Sequence, residues 1–120
     1  MKILVVDDES DICEFLVEFL QDHNFTASSI NNPSMAEDYI NNNQFDLVII
    51  DYHMPKLSGL EIIAKTKQQN KKTKFVLMSG NALDVSKTNS SKIELADGVL
   101  EKPFDCDSLV SYLENIYNNK

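Results

Sequence analysis

Five short apolar runs, each separated from the next by a longer stretch, restrict the fold of this chain more than any other feature. They fall at residues 3–6, 25–30, 47–50, 75–78 and 98–100. "ILVV", "LVII" and "FVLM" are nearly unbroken apolar blocks, the pattern of strands covered on both faces. "FTASSI" alternates and is polar enough for a sheet edge, and "DGVLEK" is the shortest of the five and suits the other edge. Most of the intervening stretches are amphipathic. Ile12, Phe15, Leu16, Phe19 and Leu20 recur at the spacing of one helix face, with Ser10 or Asp11 placed to cap it and Asn24 to end it. Leu109, Val110, Leu113, Ile116 and Tyr117 repeat that stripe after Asp105. "PSMAEDYINNN" puts Pro33 and Ser34 at the head of a second helix. A third begins near Gly59 and ends in "KTKQQNKKTK", where cations suit the negative end of the helix dipole. "LDVSKTNSSKIELA", residues 83–96, is rich in Ser, Thr and Asn and gives the weakest helix signal, a short or mobile segment. Strands alternating with helices imply one α/β unit over residues 1–120, with a parallel sheet and right-handed crossovers.

Charge narrows the function. The net charge is −8, from 19 acidic residues against 11 lysines, with no arginine. Such a chain repels phosphate backbones and lacks the side chain best suited to reading guanine, so direct nucleic-acid binding is not expected. A cation site fits better, although a generally acidic, solubilising surface would give the same total. No apolar run approaches a membrane span and no secretory pattern opens the chain, so a cytoplasmic location is expected. Cys13 and Cys106 show neither a CxxC pair nor a zinc-like spacing and read as reduced thiols.

In open parallel sheets, sites form at the carboxyl ends of the strands. There the chain places Asp7 and Asp8 after the first strand, Asp51 at the end of the third, Ser79 after the fourth and Lys102 after the fifth. Taken singly, each reads as a turn, a cap or a surface residue. Taken together, three carboxylates, a hydroxyl and an ammonium converge on one edge. Two unit charges about 4 Å apart interact by about 4 kcal/mol at an effective dielectric near 20. Three carboxylates at such range call for a counter-charge, and an oxygen-only set with few protein ligands suits Mg2+, which keeps several waters and accepts a phosphate oxygen.

From "KILVVDDE" through "VIIDYHMPKLSGLE" and "VLMSG" to "EKPF", the sequence resembles the receiver domains of two-component response regulators over essentially its whole length. The D-x-x-M-P-x-x-x-G stretch from Asp51 to Gly59, joined to the acidic pair and the Lys-Pro dipeptide, carries the resemblance. It implies a flavodoxin-like, doubly wound five-stranded parallel sheet of order 2-1-3-4-5. Five helices would flank it, two on one face and three on the other. It implies Asp51 as phosphoacceptor and Mg2+ held by Asp8 and Asp51, with Asp7 acting largely through water and His53 through its backbone carbonyl. Ser79 and Lys102 would each contact a phosphoryl oxygen. The donor would be a phosphohistidine on a sensor histidine kinase or histidine phosphotransfer protein, or a small acyl phosphate. The output would be a downstream protein target or an output domain outside this chain. Such a phosphoprotein is not a turnover enzyme; it catalyses only its own phosphorylation and dephosphorylation. Lys102–Pro103 would be cis, and Phe104 a core anchor.

The sequence departs from the family at Val99. Many receivers carry there, three residues before the site lysine, an aromatic ring that turns inward on phosphorylation. Valine has no ring to turn, which shifts attention to movement of residues 83–96. Gly80 supplies the small residue phosphoryl access needs, Tyr52, His53 and Asn81 flank the site and shape access to it, and His23 reads as a surface residue near a helix end. Only "NNK" follows the last stripe. That fits either a chain acting by docking, relay or phosphate storage, or one whose output domain lies beyond it. Two other readings compete: a phosphorylation-independent adaptor, and a magnesium-dependent phosphatase. The phosphatase type that uses a strand-end aspartate wants a second aspartate two residues on, where this chain has His53.

Overall fold

The computed structural model describes residues 1–52, 59–68, 72–79, 96–101 and 106–118, the side chain of Cys106 excepted. Strands β1 (Lys2–Val6), β2 (Thr26–Ile30), β3 (Leu47–Asp51), β4 (Lys74–Ser79) and β5 (Gly98–Glu101) form one sheet of order β2-β1-β3-β4-β5, and every neighbouring pair is parallel. Burial follows the sequence pattern. All five residues of β3 and all of β1 except Lys2 are buried, as strands covered on both faces require. The outer strands β2 and β5 alternate, which matches their place at the edges.

The helices are α1 (Ser10–Asp22), α2 (Ala36–Asn42), α3 (Gly59–Lys67) and α4 (Cys106–Asn118), with a 3-10 turn over Pro33–Met35 leading into α2. One core layer joins Cys13, Leu16 and Leu20 of α1 and Leu109, Leu113 and Ile116 of α4 to Ile3, Val5, Ile49 and Met78 on one face of the sheet. The other joins Ala36 and Ile40 of α2 and Leu60, Ile62 and Ile63 of α3 to Leu4, Val6, Ile50 and Leu77. Each fully buried Leu or Ile contributes about 1.5–3 kcal/mol relative to exposure. The expected five helices are therefore corrected to four among the described residues, two on each face. The fifth is expected over residues 83–96, which lie outside the described residues except for Ala96, in a bend. That stretch had only weak propensity behind it, without the apolar stripe that identifies α1 and α4.

Two local expectations are revised. Neither Ser10 nor Asp11 caps α1: the cap position belongs to Glu9, with no side-chain cap bond. Phe15 lies outside the buried stripe and is 54% exposed, because the stripe runs through Cys13, Leu16 and Leu20 instead. The C-terminal end of α1 behaves as read. Asn24 takes φ 71°, and its N–H bonds Gln21 O at 3.1 Å while Phe25 N–H bonds Leu20 O at 3.1 Å. This paired bonding is the Schellman termination, with Asn supplying the left-handed residue. Lys65 and Lys67 close α3, as the dipole favours.

Candidate functional site

At the carboxyl edge of the sheet, β1 and β3 are adjacent and in register, Val6 beside Ile50. The next residues along, Asp7 and Asp51, are thereby forced together, with Asp8 following. Asp7 is fully buried, Asp51 is 4% exposed, and Asp8 is exposed. Each of the three offers a carboxylate oxygen, and these oxygens lie within 4.8 Å of one another.

Several features hold this repulsive arrangement in place. Asp7 N–H bonds Ile30 O at 3.2 Å, fixing the chain where it leaves β1. An oxygen of the Asp7 carboxylate accepts the Glu9 N–H at 3.0 Å, which fills the role a cap side chain would otherwise play at the start of α1. The positive end of the α1 dipole also lies next to the acidic pair. From inside α1, the Cys13 thiol donates to Asp7 O at 3.3 Å. Burial pushes the pKa of that thiol up, and the negative charge of Asp7 adds to the rise. A protonated thiol is the form that can donate this bond.

Gly59 positions Asp51. Its N–H bonds Tyr52 O at 3.2 Å, and a Cβ at this position would strike the carbonyl oxygen of Asp51 and meet the Leu77 side chain at 3.0 Å. Helix α3 can therefore start hard against the end of β3 only from a glycine. Tyr52 N–H bonds Met78 O at 2.8 Å, extending the β3–β4 pairing past Asp51. Ser79, fully buried, ends β4 one residue beyond Met78, the register partner of Asp51. The structure thus brings Asp7, Asp8 and Asp51 together and sets Ser79 at the end of the adjoining strand. His53 and Lys102 lie outside the described residues, as do Gly80, Asn81, Pro103 and Phe104.

The donor set suits magnesium. It is all oxygen, and two members are buried while the third is exposed, so one side is left for water. Oxygens bound to one magnesium ion lie at most about 4.2 Å apart. The exposed Asp8 side chain is free to take up the small difference.

The family model for the response regulator receiver domain matches residues 3–114. The chain belongs to that family. Among solved structures, the receiver is similar to the response regulator TrrA from Thermotoga maritima, with 31% identity, a TM-score of 0.86, and coverage of 96% of this chain and 97% of that one. The TrrA crystal structure was determined in complex with Mg2+-BeF. A CheY-like receiver domain from Methylobacillus flagellatus matches at 30% identity and a TM-score of 0.85, covering 97% of this chain and 98% of that one. Curated relatives include the transcriptional regulatory protein DltR of Streptococcus agalactiae, 28% identical over 92% of this chain and 49% of its own length. Another is the regulatory protein VanR of Enterococcus faecium, 31% identical over 86% of this chain and 44% of its own. The receiver spans about half the length of the curated relatives it matches. Among the described residues, no helix is long and apolar enough to cross a membrane.

Two supports of the site escaped the sequence reading. Cys13 reads in the sequence only as a reduced thiol, and Gly59 only as a motif position and helix start. The six-residue spacing from Asp7 to Cys13 was the available signal for the first, because it brings the first turn of α1 back over the strand end. For Gly59 the signal was a glycine at a helix start, directly after a strand-end loop.

Proposed function

We propose that this receiver is the phosphoacceptor of a two-component phosphorelay, with Asp51 as the residue modified. The observation that carries this reading is the cluster of three carboxylates at the ends of β1 and β3, two of them buried. A carboxylate oxygen of Asp51 attacks phosphorus as the P–N bond of a phosphohistidine breaks. The electron pair of that bond stays on the imidazole, which takes up a proton. Hydrolysis of the resulting acyl phosphate returns Asp51 and inorganic phosphate, so the receiver acts only on itself and turns over no other substrate.

Asp8 and Asp51 would hold Mg2+ directly, Asp7 largely through water, and His53 through its backbone carbonyl. When bound, the ion neutralises charge that develops on the transferred group. Ser79 donates a hydrogen bond to one phosphoryl oxygen and Lys102 pairs with another. Asp7, fixed by Ile30, Glu9 and Cys13, holds its carboxylate in place without reorganisation. Gly59 leaves the carbonyl side of Asp51 unobstructed.

The donor is a sensor histidine kinase or a histidine phosphotransfer protein in the cytoplasm. The phosphorylated surface is then read by a protein partner or by an output domain, such as the remaining half of a regulator of the DltR kind. Incubation with a radiolabelled, phosphorylated histidine phosphotransfer protein tests the assignment. Label should move to the wild-type receiver in magnesium and not to Asp51→Asn. Equal labelling of both would refute the role of Asp51.

A further inference from the structure

Strand β5 is a four-residue edge strand, paired among the described residues with β4 alone. Such a strand is the weakest member of a sheet. Yet β5 sits where precision matters under the phosphoacceptor reading: its Glu101 is in register with Ser79, and Lys102 follows Glu101 in the sequence. Among the described residues, the hydrogen bonds to the outer side of β5 come from one side chain. The Tyr112 hydroxyl, carried on α4, accepts the Val99 N–H at 2.9 Å and donates to Val99 O at 3.0 Å. A phenol has one proton to give and lone pairs to receive, so both bonds form at once.

The neighbouring residue fits this contact. A Cβ on Gly98 would lie 2.6 Å from the Tyr112 hydroxyl oxygen and 2.5 Å from Ile116 Cδ1. Glycine at 98 therefore lets the tyrosine reach the strand edge. Val99 is the position at which the aromatic ring of many receivers is replaced here by an aliphatic side chain, and it is 37% exposed. Its backbone makes both hydrogen bonds to α4.

We propose that Tyr112 is a positioning residue for the phosphoryl-binding side of the site, clamping β5 to α4 so that the β4–β5 edge holds Ser79 in place. This rests on the phosphoacceptor reading. It also makes β5 and α4 one body, so that a pull on β5 from the site is felt on α4 through two hydrogen bonds.

The test compares wild type with Tyr112→Phe, which keeps the ring and removes the hydroxyl. Gly98→Ala serves as a second route to the same lesion. Magnesium binding is measured by NMR titration with magnesium chloride, and phosphoryl-analogue binding by titration with beryllofluoride at saturating magnesium. Amide exchange of Val99 reports the clamp itself. Expected for both variants is Val99 exchange faster by about tenfold or more, as loss of one or two net hydrogen bonds implies. Beryllofluoride affinity should fall by about fivefold or more while magnesium affinity stays within twofold, because Asp7, Asp8 and Asp51 are not on β5. A fall in both affinities together would mean a merely structural role and overturn the proposal. So would unchanged beryllofluoride affinity, or unchanged Val99 exchange. A wild-type chain that binds magnesium but no beryllofluoride would instead sink the phosphoacceptor reading, and the proposal with it.

Discussion

Asp8 is the exposed member of three carboxylates whose oxygens approach within 4.8 Å. Without a cation, its charge works against two buried neighbours. Asp8→Asn should therefore raise the melting temperature in magnesium-free buffer, by roughly 3–5 °C for a chain of this size. In wild type, magnesium at about 100 times its dissociation constant should add about 2.7 kcal/mol of stability by linkage. The variant should lose most of that gain. Calorimetric scans with and without magnesium check both signs, and a variant destabilised in magnesium-free buffer would contradict the repulsion. Cys13 supports the same corner from inside α1, with its thiol pKa raised by burial and by Asp7. A raised folded pKa means that the stability from keeping this thiol protonated is complete below the unfolded value, about 8.5. It is lost as pH rises toward the folded value. In a Cys106→Ser background, Cys13 should react with a disulfide reagent at least about a hundredfold more slowly in the native than in the urea-unfolded chain. Similar rates in both states would mean the thiol is not held as described.

At the scale of elements, the junction of β3 and α3 is the least forgiving. A Cβ at Gly59 meets the backbone oxygen of Asp51, which cannot be moved without shifting the residue itself. Gly59→Ala should cost about 2–3 kcal/mol in urea unfolding and slow phosphorylation of Asp51 as well, since strand end and helix start cannot both keep their places. A loss of stability with phosphorylation rate intact would separate the two effects and contradict the shared cause. Elements were legible in the sequence where burial decides them. β1, β3 and β4 announce themselves as apolar blocks, while the alternation of β2 and the shortness of β5 assign them to the edges. Local choices made by a distant partner were not legible. The start of α1 is governed by the Asp7 carboxylate taking the Glu9 N–H, which no capping rule at Ser10 or Asp11 foresees. Phe15 fits the helical spacing as well as Leu16 does, and only the direction in which α1 meets the sheet turns it outward.

Across the whole molecule, the parallel order β2-β1-β3-β4-β5 converts four separate sequence positions into one edge. Asp7 and Asp51 are 44 residues apart in the chain, yet become neighbours because β1 and β3 pair with Val6 beside Ile50. The strand-end positions of these residues could be read from the sequence, since each follows or closes an apolar run. The order of the strands came from resemblance rather than from the residues, because hydrophobic pattern identifies strands without saying which are adjacent. Neither the Cys13 contact nor the Tyr112 clamp could be foreseen, because both depend on how helices lie across the sheet. Under the proposed function, this edge makes Asp51 a magnesium-dependent phosphoacceptor. That role is tested most directly by intact-mass measurement after incubation with acetyl phosphate, with and without magnesium, beside an Asp51→Asn control. A single phosphoryl adduct that requires both magnesium and Asp51 is the predicted result. An adduct that persists in Asp51→Asn or forms equally without magnesium would contradict it, as would the absence of any adduct with both acetyl phosphate and a phosphohistidine donor.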